Sequence, residues 1–141
     1  MTVKQLSIFV ENKLGRLTEI TDILDKNRID IRALSVADTT NFGILRIIVN
    51  EPDKAAEALK SAGFTVSITN VIAIGVDDNP GGLSKAMHCL YNAGIGVEYM
   101  YAFVGRKEKC AYVILRVDNN NAAIEALRSD NIIIITASEI V

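Results

Sequence analysis

From Val3 to Val10 apolar and polar residues alternate, with Leu6, Ile8 and Val10 on one side and Gln5, Ser7 and Phe9 on the other. This two-residue period predicts a strand. Between Arg16 and Asn27 the period changes. Leu17, Ile20, Ile23 and Leu24 recur at the spacing of a helix with one buried stripe. Asp30 to Ala37 reads as a second strand, Asp38-Thr39-Thr40-Asn41 as a hairpin turn, and Gly43 to Val49 as a third strand. Glu51-Pro52-Asp53 opens another helix, with proline in its first turn and Ala55, Ala58, Leu59 and Ala62 inward. Gly63 stops it, and Phe64 to Thr69 is a fourth strand.

The same pattern then begins again. Val71 to Val76 predicts a strand, Gly81 to Ala93 a helix with Leu83, Ala86, Met87 and Leu90 inward, and Gly96 to Val104 a strand. Gly105-Arg106-Lys107-Glu108-Lys109 is a charged hairpin tip before the strand Cys110 to Val117, the helix Asn121 to Ser129 and the strand Ile132 to Thr136. Val10 matches Val76, Gly15 matches Gly81 and Leu17 matches Leu83, a constant offset of 66 (76 − 10, 81 − 15, 83 − 17). From the third strand the offset is 68, as in Val49 and Val117 (117 − 49), so two residues are added at the second hairpin, where insertion costs little. A low-identity duplication that keeps residue type predicts two copies of one small domain, residues 1–69 and 70–141. Each copy is β-α-β-β-α-β. The fold class expected is α+β, two tandem ferredoxin-like units, each a four-stranded antiparallel sheet with two helices on one face.

Composition narrows the function classes. Net charge is −2, from 15 basic and 17 acidic residues scattered along the chain, which leaves no electrostatic footprint for nucleic acid. No apolar run reaches membrane-spanning length, and Met1 to Leu6 enters a strand without a signal-peptide core. Two cysteines, Cys89 and Cys110, make no disulfide framework, so a reduced, cytoplasmic protein is expected.

Catalytic chemistry has little to stand on. The one histidine, His88, has no partner at metal-ligand spacing, and Asp77 and Asp78, consecutive at a strand end, point to opposite sides. No catalytic residue, metal or cofactor is expected. The glycine turns are better candidates. In Asp78-Asn79-Pro80-Gly81-Gly82-Leu83, asparagine can cap the helix, proline fits its first position, and the glycines leave uncovered a helix end whose free N–H groups attract carboxylate or phosphate. The other reading is that the glycines serve only the tight turn.

This turn, at the first strand-to-helix junction of a roughly 70-residue β-α-β-β-α-β unit, resembles that of the ACT domain. As a tandem pair over the whole chain, the sequence is similar to free-standing bacterial ACT-domain proteins. The first copy departs from the pattern in Asn12-Lys13-Leu14-Gly15-Arg16-Leu17, with leucine for proline and arginine after the glycine. The resemblance implies a regulatory, non-enzymatic protein that binds a small ligand, most often an amino acid, between ACT domains and signals to a metabolic enzyme. Carried over by position, it points to Asn12, Leu14, Gly15 and Leu17, to Asp78, Asn79, Gly81 and Leu83, and to the second strands.

In the second of those strands Tyr99, Tyr101 and Phe103 share one side, while Met100 and Ala102 match Leu34 and Val36 and go with the helix-covered core. Three aromatics on a face the helices leave bare predict a partner surface, in a homodimer or between the copies; a stack filled by the chain itself is the alternative. Arg32 and Glu98 are equivalent (98 − 32 = 66) and opposite in charge. They could pair with each other, take a ligand's carboxylate and ammonium groups, or remain solvated strand-edge charges. A second function fits as well, an interaction-only subunit that binds a partner enzyme through its sheet face without ligand. RNA recognition on aromatics of the first and third strands is excluded, since the two third strands together hold one aromatic, Tyr112.

Overall fold

The computed structural model describes residues 1–105 and 107–140, so Arg106 of the charged hairpin tip and Val141 at the end of the second copy lie outside the described residues. The chain divides into two compact units, Lys4–Thr69, and Asn70–Ile140 together with Met1–Val3.

The first copy runs β1 (Val3–Glu11), α1 (Arg16–Lys26), β2 (Ile31–Asp38), β3 (Phe42–Val49), α2 (Pro52–Ser61) and the leading part of β4 (Thr65–Asp77). Strand β3 lies between β2 and β1 and is antiparallel to both, with Ile47 opposite Leu6 and Leu34, and Leu45 opposite Ile8 and Val36. The alternation read in β1 decides the core. Leu6, Ile8 and Val10 join Leu45, Ile47 and Val49 beneath Ile20 and Leu24 of α1 and Ala55 and Leu59 of α2. Burying each such aliphatic side chain stabilises the fold by roughly 1.5–3 kcal/mol.

The second copy repeats this with the rest of β4, α3 (Gly82–Asn92), β5 (Val97–Phe103), β6 (Cys110–Val117), α4 (Asn120–Ser129) and β7 (Ile133–Ile135). Strand β4 pairs antiparallel with β6 and β7, and β6 with β5. Ile72, Ile74, Val113, Leu115 and Val117 pack under Ala86 and Leu90 of α3 and Ala123 and Leu127 of α4.

The structure departs from the periodic reading in four places. The strands expected over Phe64–Thr69 and Val71–Val76 are one strand, because Thr65 to Ile74 contains neither glycine nor proline to break it. A short helix, α5 (Ala137–Ile140), follows β7. It is started by Glu139, whose Oε1 accepts from the Thr136 backbone N–H (3.2 Å) and hydroxyl (2.9 Å), while the Glu139 N–H donates to the Thr136 carbonyl (3.0 Å). Those hydrogen bonds favour the ionised form and hold the Glu139 carboxyl below its ordinary range.

Thirdly, Met100 and Ala102 lie level with Leu115 and Val113 on the helix side of the sheet, yet both are exposed, as are Leu34 and Val36. Strands β2 and β5 are edge strands, so the helices do not reach over these side chains. Finally, the helix-free side of each sheet is not bare. Gln5, Ala33 and Ile48 in the first copy, and Ala73, Tyr112, Ile114 and Ile135 in the second, are buried in a single chain.

Candidate functional site

Both glycine turns place a helix N-terminus at the end of the first strand of their copy. Gly15 and Gly81 occupy equivalent left-handed conformations, φ 91° and 95°, just ahead of α1 and α3. Neither would bring an added Cβ within 4 Å of another atom, so glycine is needed there for its backbone angle. No side chain caps either helix, in contrast to α4, where Asn119 Oδ1 accepts from the Ala122 N–H at 3.1 Å. Asn79 therefore does not act as the cap expected of it. Its backbone carbonyl accepts from Gly82 N–H at 3.1 Å, and Pro80 precedes the helix instead of opening it. Both helix ends keep free N–H groups that can meet an anion.

The two turns are finished differently. Asn12 donates its carboxamide to the carbonyls of Thr39 (2.7 Å) and Phe42 (3.3 Å), locking the first turn to the β2–β3 hairpin. Asp78, its counterpart, has no side-chain donor; only its backbone reaches the hairpin, at the Lys109 carbonyl (2.9 Å). Lys13 pairs with Glu11 at 2.8 Å and Arg16 with Glu19 at 3.0 Å. Among the described residues no ion pair involves Asp77 or Asp78. Leu14 is fully exposed and Leu17 half-exposed, whereas Leu83 is partly buried against the second core.

Arg32 and Glu98 sit at matching irregularities. The register shifts between Ile31 and Ala33 in one copy and between Val97 and Tyr99 in the other, so each charged residue is the extra one of a β-bulge. Bulges re-aim a side chain, which periodicity cannot show. Each charge finds a partner in its own copy. Arg32 Nη2 lies 3.1 Å from Asp30, and Glu98 Oε2 lies 3.3 Å from Arg116 Nε. Arg32 Nε is buried with no hydrogen-bond partner among the described residues, an unmet donor of the kind that carries an energetic cost.

Tyr99, Tyr101 and Phe103 do share one side of β5, opposite Arg116, Ile114 and Tyr112, and all three are half-buried. Phe103 meets Tyr112 edge-on, with ring centroids 5.3 Å apart.

A family model described as an ACT domain pair matches residues 1–141. The chain belongs to this family. Among solved structures, this ACT domain pair is similar to protein BT0572 from Bacteroides thetaiotaomicron, at 44% identity over 99% of this chain and 96% of that one, with a TM-score of 0.93. It also shares its fold with the regulatory subunit of aspartate kinase from Thermus thermophilus (16% identity, 89% and 91% covered, TM-score 0.66) and from Thermus flavus (14%, 89% and 90%, 0.63). A search of curated proteins finds no match.

The remaining chemistry of the ACT domain pair is quiet. Burial, with the Asp130 carboxylate a lesser cause, pushes the Cys89 thiol up to about 11, and its Sγ donates to the Ala126 carbonyl at 3.2 Å. A thiol in that state is a packing group. His88 is exposed on α3 beside Ser84, Met87 and Tyr91. Among the described residues no cluster of three or more histidine, cysteine or acidic side chains is arranged to hold a metal ion, and no helix is long and apolar enough to cross a membrane.

Proposed function

We propose that this ACT domain pair is a non-catalytic regulator. It binds an amino acid at an interface between ACT domains and passes the resulting change in packing to a metabolic enzyme in the cytoplasm. The supporting observation is what the first copy leaves unfinished. Leu14 (107% exposed), Leu17 (49%), Leu34 (56%) and Val36 (50%) stand in water along the glycine turn and the open edge of β2. Beside them in sequence, Arg32 keeps a buried N–H without a hydrogen-bond partner among the described residues. An uncapped helix end and an unmet guanidinium donor suit a carboxylate, and the apolar row suits the flank of a second ACT domain in a homodimer. The domains of this reading are residues 1–69 and 70–141. Asn12, Leu14, Gly15, Leu17 and Arg32 line the first copy's site, and Asp78, Asn79, Gly81, Leu83 and Glu98 the second's.

A ligand shifts the packing only by its difference in affinity between two arrangements. A thermal-shift screen against the amino acids tests the reading. A true ligand at about 100 times its dissociation constant stabilises the fold by about 2.7 kcal/mol. The shift should vanish in Arg32→Ala or in Gly81→Val and Gly15→Val, according to which turn is occupied. Retention of the full shift in all three variants would overturn it. A screen without a hit, together with capture of a partner enzyme that is lost on substituting Tyr99 or Tyr101, would establish the interaction-only alternative. The half-buried aromatic row keeps that second reading alive.

A further inference from the structure

The first copy holds a recess lined entirely by its own residues. Four separate segments converge on it: the end of β1, the first turn of α1, the start of β3 and the α2–β4 connection with Thr65 at the head of β4, around a volume of about 210 Å³. Phe9 and Phe42 line it with ring centroids 4.9 Å apart and planes tilted by 30°, and they remain 47% and 42% exposed. Two adjacent aromatic rings held half in water leave apolar surface for an occupant to cover. Arg16 and Glu11 also line the recess. Glu19 takes Arg16 through Nη1 alone (3.0 Å), which leaves further guanidinium donors in fork geometry. Glu11, held ionised by Lys13, supplies a carboxylate.

In the second copy the matching positions are closed. Gly75 and Cys110 stand where the first copy has Phe9 and Phe42, and Gly82 and Lys85 stand for Arg16 and Glu19. A Cβ on Gly75 would meet Cys110 Sγ at 2.8 Å and Ile135 Cδ1 at 3.5 Å, so these two side chains already occupy the space a ring would take.

We propose that this recess is a ligand site contained within the first copy, built for a small zwitterion with a flat apolar body, an aromatic amino acid being the simplest. The carboxylate docks on Arg16, the ammonium on Glu11, and the ring against Phe9 and Phe42. With two acidic side chains, Glu11 and Glu19, against Arg16 and Lys13, the surroundings are neutral overall and offer both signs, which suits a zwitterion better than a bare anion. The volume is below the ~300 Å³ of pockets for drug-sized ligands, which limits the occupant to about this size. The site stands apart from the interface reading, since it needs no second ACT domain.

Calorimetric titration of the full chain with L-phenylalanine, 3-phenylpropionate and phenethylamine tests it. One phenylalanine should bind per chain. Arg16→Gln should weaken phenylalanine and phenylpropionate tenfold or more while leaving phenethylamine unchanged. Phe42→Leu, which keeps an apolar side chain at a half-exposed position, should weaken all three. Circular dichroism checks that both variants remain folded. No binding of phenylalanine at millimolar concentration overturns the site. So does binding that Arg32→Ala abolishes but Arg16→Gln leaves intact, a result that would place the ligand at the second strand and favour the interface reading instead.

Discussion

The two glycine turns share a backbone and differ in what fixes it. Each has glycine in the left-handed region, at φ 91° and 95°, and each starts an uncapped helix. In the first, side chains secure the turn: Asn12 bridges to the hairpin, and ion pairs flank the glycine. In the second, the backbone itself packs tightly, since any Cβ on Gly82 would collide with the Asp77 carbonyl oxygen. The first copy carries Arg16 at that position. The Asn-Pro-Gly-Gly sequence of the second turn therefore has two structural duties, an angle at Gly81 and a close approach at Gly82. Its resemblance to a ligand-binding motif is partly a resemblance of architecture.

The strongest way to break this comparison is at the close approach. Gly82→Ala should cost about 1–3 kcal/mol, because the carbonyl it meets belongs to the chain and cannot swing aside. The equivalent Arg16→Ala should stay within about 0.5 kcal/mol, as expected of a partly exposed side chain. All four tyrosines (91, 99, 101 and 112) belong to the second copy, so the midpoint of urea unfolding followed by tyrosine fluorescence reads that copy selectively. Equal midpoints for Gly82→Ala and wild type would show that the two turns are held alike.

A smaller effect separates the side-chain anchors. Asn12→Asp removes the donors to Thr39 and Phe42 and should cost about 1 kcal/mol, with faster amide exchange around the first hairpin. Asp78→Asn, which supplies the missing donor to the second copy, should cost nothing. The smallest effect concerns the helix ends. Arg28 adopts φ 58° where the second copy has Gly94 at φ 73°. Arg28→Gly should raise stability by about 0.5 kcal/mol, since relief of a left-handed residue, worth ~1 kcal/mol, is offset in part by the freer unfolded chain. A slightly raised melting temperature checks it, and a lowered one would show that the Arg28 side chain contributes more than its backbone costs.

Much of the fold was legible in the sequence because periodicity carries over directly into facing. Leu6, Ile8 and Val10 reach the core as their alternation required, and Ile20 and Leu24 do so from α1. The repeat offset was legible too, and it is what makes the two turns comparable residue by residue. Less was legible at the candidate site. That Asn12 spends its carboxamide on the hairpin follows from carbonyls 27 and 30 residues away. That Arg32 and Glu98 are bulge residues depends on a register shift against β3 and β6. Two features do have signals in the sequence itself. Thr136-x-x-Glu139 is a helix-start pattern, and the exchange of Phe9 and Phe42 for Gly75 and Cys110 marks where the copies diverge in bulk.

By itself, then, the sequence determined the alternation of strands and helices within each copy, the duplication and the side of each strand that faces the helices, because these follow from residue spacing along one chain. Tertiary structure alone decided exposure and partnership. Leu34 and Met100 face the helix side and still stand in water, because a helix covers only the strands beneath it and both lie on edges. Gln5 belongs to the polar side of β1 and is wholly buried. Facing is a local property of the backbone; burial depends on what else the folded chain brings within a few ångströms.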